Sequence, residues 1–206
     1  ATLDGNPVTP DASITPSTPP TRTAGATAVT ELNSVLFKDL TNGETVIMAG
    51  LTFTANSSGA TAAQVAAAFA SITAGDTAAT INANNGLTTS GTGGTFTSGT
   101  ATGWSTGARS TATVVFTSTT PYTNVSNLTA TGTAATAPTI TTTAGVAASA
   151  ALAFNALAAG QSITVAGLTF TAGTSGATAA QVAAAFASIT AGQSYTTVNT
   201  NNSLTG

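Results

Sequence analysis

The chain has 206 residues, of which 48 are Thr, 44 Ala, 21 Gly and 18 Ser, while only nine are charged and none is His or Cys. These counts exclude a thiol nucleophile, a disulfide, a zinc centre of the usual ligand types and a His base for a serine nucleophile. Arg22, Lys38 and Arg109 are the only cations, too few to neutralise a phosphate backbone or to hold an anionic membrane surface, so neither nucleic acid nor membrane is an expected partner.

Leu, Ile, Val and Phe number 11, 7, 12 and 8, which is sparse for a packed core. The formal net charge is only −3, so the pairing of low hydrophobicity with high charge that marks disorder is not met. A strand-rich fold that buries small side chains is the alternative. In chain order, residues 1–22 come first, with five of the seven prolines in the first 20 positions. They are predicted to form a Pro/Thr-rich extended arm or linker. Their PSTPPTRTAG resembles APTITTTAG at 137–145 and reads as the worn end of a preceding unit. No basic start followed by an apolar run occurs at Ala1, so no signal peptide is expected there.

A repeat organises the rest. Residues 35–89 align with 152–206 without a gap, and SGATAAQVAAAFASITAG stands unchanged at 58–75 and 175–192. AGLTFTA recurs at 49–55 and 166–172. Such self-similarity marks a modular array. The expected division is a complete repeat unit at 23–143 and a second, incomplete unit at 144–206. Each opens on a hairpin: Val46, Met48, Leu51 and Phe53 alternate with polar or small residues around Ala49-Gly50, as Ile163, Val165, Leu168 and Phe170 do around Ala166-Gly167. A helix follows. Thr61 with Gln64, and Thr178 with Gln181, form capping boxes. Val65, Ala68, Phe69 and Ile72 make one apolar stripe, repeated as Val182, Ala185, Phe186 and Ile189. Gly75 and Gly192 are the predicted stops. Beyond the first helix, Asn85-Gly86 reads as a turn, and Thr95–Thr97, Thr111–Ser118 and Val125–Thr131 read as strands. Ala144–Gly160 is apolar but short for a membrane span, and it aligns with a stretch carrying Glu31, Lys38 and Asp39. The predicted fold is α+β and strand-dominated: tandem repeats of a β-hairpin, one Ala-rich helix and further antiparallel strands, β-sandwich-like.

The order of strand, Gly turn, strand, then TAAQVAAAFASI, then a strand near NANNGL resembles the hairpin–helix–strand repeats of flagellar hook-associated proteins. In composition it is more similar to the Thr/Ala/Gly-rich repeats of giant secreted adhesins and surface-layer proteins. The resemblance covers about 44–89 and 161–206. It implies an extracellular bacterial structural protein, or a phage tail-fibre segment, and carries over no functional residue. The calcium-binding nonapeptide of many secreted proteins is absent.

No catalytic, cofactor-binding or metal-binding residue is predicted. Calcium takes six to eight oxygens, and its candidates Glu31, Asp39, Glu44 and Asp76 are widely spaced. Asp4-Gly5-Asn6 reads as a turn. Lys38 is the one lysine available for a side-chain amide with an Asn, but Asn155 replaces it in the second copy. That copy also replaces Asp39, Glu44 and Asp76 with Ala156, Gln161 and Gln193, so charge is not expected to hold the fold. Trp104 beside Arg109 could face a sugar or pack internally; Tyr122 and Tyr195 are weighed in the same way. Asn56, Asn124 and Asn127 begin glycosylation sequons. The expected role is non-enzymatic: a structural protein at the cell surface that polymerises with copies of itself, in part by strand donation, with a glycan-binding adhesin domain as the competing class.

Overall fold

The computed structural model describes residues 2–3, 6–7 and 20–201, and the fold is α+β and strand-dominated. The strands are β1 (Thr2–Leu3), β2 (Asn6–Pro7), β3 (Thr21–Ala24), β4 (Leu32–Leu36), β5 (Thr45–Met48), β6 (Leu51–Ala55), β7 (Gly94–Gly99), β8 (Trp104–Thr106), β9 (Thr113–Ser118), β10 (Thr131–Gly132), β11 (Thr139–Thr143), β12 (Ala150–Ala153), β13 (Ser162–Val165) and β14 (Leu168–Thr171). The helices are α1 (Ala62–Ala68), α2 (Ala78–Asn84), α3 (Ala179–Ala185) and α4 (Tyr195–Asn201). Contacts divide the chain into residues 29–146 and a second unit made of 1–28 together with 147–206. Residues 23–28, expected at the head of the first repeat, thus group with the second unit.

In 29–146 the hairpin forms where alternation is sharpest. β5 pairs with β6 so that Val46 faces Phe53 and Met48 faces Leu51, all four buried. Ala49 and Gly50 join them at φ +48° and +79°, the positive values that a two-residue turn needs to match strand twist. Two four-stranded antiparallel sheets result, in the orders β10-β5-β6-β7 and β11-β4-β9-β8. They share a core centred on one helix residue. Phe69 stacks on Phe37 at 5.0 Å, meets Phe96 edge-on at 4.9 Å, and has Phe53 and Phe116 at 6.3 and 6.1 Å.

α1 begins at the capping box of Thr61 and Gln64, and Val65, Ala68, Phe69 and Ile72 are all buried. It ends earlier than predicted. Ser71, at φ +54°, turns the chain, rather than Gly75. The cause is local, since Ser188 turns the identical second segment in the same way at φ +55°; in 29–146 the released amides are then taken up by β8 and its flank, the Ser71 N–H donating to the Gly107 carbonyl at 2.9 Å and the Ile72 N–H to Thr106 Oγ1 at 2.8 Å.

The strand expected near NANNGL is instead helix α2. Thr77 caps it by accepting from the Thr80 N–H, and Asn85 ends it. Its asparagines act across the fold. Asn82 brackets Phe96, Nδ2 donating to the carbonyl at 2.8 Å and Oδ1 accepting from the N–H at 2.9 Å. Asn85 Nδ2 donates to the Ala68 and Ala70 carbonyls. The strand expected over Val125–Thr131 is reduced to β10, because the Val125 N–H is taken by Glu31 instead of a ladder. β4, β8 and β11 are strands that local pattern did not announce.

The second unit reuses the hairpin and helices. β13 pairs with β14, setting Val165 against Leu168 and Ile163 against Phe170. α3 carries the same capping box, Thr178 with Gln181. Leu157, Ile163, Val165, Ala172 and Val182 form its buried cluster. β12 pairs with β3, Ala150 facing Ala24 and Ala153 facing Thr21. Of the predicted arm, β1 and β2 pair with each other, while Asp4, Gly5 and Asp11 lie outside the described residues.

Candidate functional site

The carboxylates weighed for calcium are not brought together, and among the described residues no three acidic groups cluster. Each serves backbone amides instead. Asp39 Oδ1 accepts from the first amide of α1, Ala62, at 2.6 Å. Asp76 accepts from Thr73 at 2.8 Å. Glu44 accepts from Thr41 at 2.7 Å and from Ala135 at 2.8 Å. Glu31 is wholly buried and accepts from Val125 at 2.9 Å. The second copy keeps two of these bonds without charge: Gln161 Oε1 accepts from the Ala158 N–H at 2.8 Å and Gln193 Oε1 from the Thr190 N–H at 2.9 Å. Loop closure at those positions thus depends on an acceptor oxygen, not on its charge.

The Thr41 N–H, and after it the Ala135 N–H, hold the Glu44 carboxyl below its ordinary pKa. A depressed folded value gives stability that is present above the unfolded pKa and lost as pH falls through the folded one. Glu44→Gln should therefore remove part of the acid sensitivity of residues 29–146 while leaving the fold intact, as Gln161 does in the second copy. Urea denaturation of both proteins at neutral pH and at about pH 3 checks this; equal losses of stability on acidification would refute it.

Trp104 is 7% exposed and packs in the core beside β9, so it presents no ring face on which a sugar could stack. Arg109 Nη1 donates to the Thr111 carbonyl at 3.0 Å. Tyr122 and Tyr195 are exposed. Lys38 is half-buried rather than enclosed, which does not suit side-chain amide formation. Asn56 accepts from the Ser58 N–H in its own turn, and Asn124 and Asn127 are exposed. No helix of the described residues is long and apolar enough to cross a membrane; β12 occupies part of the apolar stretch 144–160.

The feature that stands out is a set of strand positions. β4 and β12 are equivalent in the repeat, as are β5 with β13 and β6 with β14. β4 lies between β11 and β9, and the β5–β6 hairpin lies between β10 and β7. β12 has β3 where β4 has β11: Thr21 faces Ala153 as Thr139 faces Leu36. Among the described residues, nothing stands beside β12 in the place of β9, or beside β13 and β14 in the places of β10 and β7. Burial records the consequence on identical sequence. Ala66 and Phe69 are 0% exposed and Ile72 3%, whereas their equivalents Ala183, Phe186 and Ile189 are exposed or half-buried. Phe186 keeps the counterparts of Phe37 and Phe53, with Phe154 at 5.3 Å and Phe170 at 6.5 Å. Phe96 and Phe116, from β7 and β9, are the rings without counterparts there. Leu168, Phe170, Phe186 and Ile189 were legible in the repeat as hairpin and helix-stripe residues; that β7 and β9 cover their equivalents in 29–146 was not.

No family model, curated protein or solved structure matches the chain.

Proposed function

We propose that the chain is a non-enzymatic structural protein of the bacterial exterior, a building block that assembles with copies of itself through strand edges poor in charge. One observation carries the reading: a strand at the end of the predicted arm and running past it, Thr21–Ala24, completes β12 in the position that β11 holds beside β4. The partner of that edge is therefore a separate segment, remote in sequence from the strand it completes. In an assembly the same strand, donated by a neighbouring copy, joins one molecule to the next. Low charge supports this role, since few ions are desolvated when such edges meet. The buried position of Trp104 leaves the glycan-binding alternative without the aromatic on which it was founded.

Electron microscopy of the full chain should show filaments or sheets, and removal of residues 1–25 should abolish them. A full chain that stays monomeric, or polymers that survive the deletion unchanged, would overturn the proposal.

A further inference from the structure

Two Asn-Gly pairs occur in the chain, Asn42-Gly43 and Asn85-Gly86. Both lie at turns in residues 29–146, and their glycines have similar backbone, at φ +75° and +60°. The glycine amides are also engaged alike: the Gly43 N–H donates to the Ala55 carbonyl at 3.2 Å and the Gly86 N–H to the Ala83 carbonyl at 3.3 Å. The carboxamides before them differ. Asn85 is half-buried, and its Nδ2 donates to the Ala68 carbonyl at 2.9 Å and to the Ala70 carbonyl at 3.0 Å. Asn42 is exposed, and among the described residues nothing holds its side chain. A Cβ built on Gly43 would meet nothing within 4 Å, so the space around that pair is open. The second unit makes the same turn without the amide. There Ala159 stands for Asn42, Gly160 has φ +74°, and the Gly160 N–H donates to the Ala172 carbonyl at 3.0 Å. The Asn42 carboxamide is therefore no part of what forms the turn.

We infer that Asn42 is a site of spontaneous covalent modification, deamidation through a cyclic imide, and that the fold protects Asn85 from the same reaction. The Gly43 amide nitrogen gives up its proton to solvent base and bonds to Asn42 Cγ. The Cγ–Nδ2 bond breaks, and the side-chain nitrogen takes up a proton and leaves as ammonia. Water then opens the imide at either carbonyl. Attack on the side-chain carbonyl leaves an ordinary aspartyl linkage, and attack on the backbone carbonyl routes the chain through the side chain; nothing is oxidised or reduced. Glycine suits the second place because no Cβ crowds the attacking nitrogen. At Asn85 the carboxamide must first leave two carbonyl acceptors. The change at Asn42 falls on a loop that Glu44 closes, its carboxylate accepting from the Thr41 N–H at 2.7 Å and from the Ala135 N–H at 2.8 Å. Either product sets a second carboxylate close to Glu44, and the side-chain-linked form lengthens the backbone between Thr41 and Glu44 by a methylene. The loop thus loosens with age, while its twin at 158–161 has no amide at Ala159 to lose.

The test needs only the full chain, held for days in mildly alkaline buffer and mapped by mass spectrometry of its proteolytic peptides. The peptide containing Asn42 should gain the mass difference between –NH2 and –OH and separate into two linkage forms. The peptide containing Asn85 should change at least about tenfold more slowly, the weight of two hydrogen bonds on a rate. In urea that unfolds the chain the two rates should converge. Deuterium exchange of the Thr41 and Ala135 amides should be faster in the modified protein, and Asn42→Ala, which copies the turn at Ala159, should show the same exchange before and after incubation. No mass gain at Asn42, an equal gain at Asn85 in the folded chain, or a difference between them that persists in urea would overturn the inference. Unaltered exchange at Thr41 and Ala135 in the modified protein would overturn the loosening of the loop.

Discussion

Phe69→Ala should lower the stability of residues 29–146 by about 3–5 kcal/mol, the range for truncating an enclosed aromatic, while Phe186→Ala should lower that of the second unit by roughly 1–2 kcal/mol. The two residues stand at the same place in identical 18-residue segments, so helix propensity, capping and local geometry cancel in the comparison. What differs is enclosure. Phe69 is 0% exposed, with four rings around it; Phe186 has two, Phe154 and Phe170, and is half-buried. Removing the first leaves a cavity between two sheets, and removing the second deepens a surface that solvent already reaches. Trp104, the single tryptophan, reports unfolding of 29–146 in urea. Exchange of the Val65 and Val182 amides with deuterium reports each helix separately. Equal losses for the two variants would show that enclosure by β7 and β9 is not what stabilises α1.

The elements legible in the sequence are those whose cause is local. Thr61 and Gln64 are three residues apart and satisfy each other's amides, so the start of α1 is written in four letters. The hairpin is equally local, because Val46, Met48, Leu51 and Phe53 alternate across a two-residue turn. α2 was hidden because it buries only Ile81 among its own residues, leaving no apolar stripe, and because Asn82 and Asn85 hydrogen-bond to backbone 14 to 17 residues away. β4 was hidden because its partners are β9 and β11, Leu36 facing both Thr113 and Thr139, and such pairings leave no mark on a short window. Trp104 was misleading for the same reason. Between Gly103 and Gly107 it has the look of a loop tip, and pairing of β8 with β9 across Ser118 turns it into the core. Replacement of Glu44 and Asp76 by Gln161 and Gln193 in the second copy suggested that charge is dispensable at those two places, while the geometry adds that the acceptor oxygen is kept there.

Glu31→Ala should cost residues 29–146 about 2–4 kcal/mol, the effect of leaving two buried donors unpaired. Glu31 is wholly enclosed at the mouth of β4. Its Oε2 accepts from the Val125 N–H at 2.9 Å, its Oε1 from Asn33 Nδ2 at 3.4 Å, and Asn33 Oδ1 accepts in turn from the Thr142 hydroxyl at 2.5 Å. One side chain thereby ties the segment after β9 to the β4–β11 ladder. Among the described residues no buried side-chain polar atom lacks a partner, so the network has no slack to absorb the loss. Glu31→Gln should cost about half as much, since the amide keeps one acceptor oxygen and turns an N–H toward a donor on the other side. The second unit shows an apolar solution at the equivalent places, with Ala148 7% exposed for Glu31 and Ala150 for Asn33. Glu31→Ala combined with Asn33→Ala should therefore cost less than the sum of the single changes by about 1 kcal/mol, because the second removes a donor that the first strands. Urea denaturation followed by Trp104 fluorescence compares the four variants with the unaltered chain. Strict additivity would mean that Glu31 acts on Val125 alone and that Asn33 belongs to the β4–β11 pairing without it.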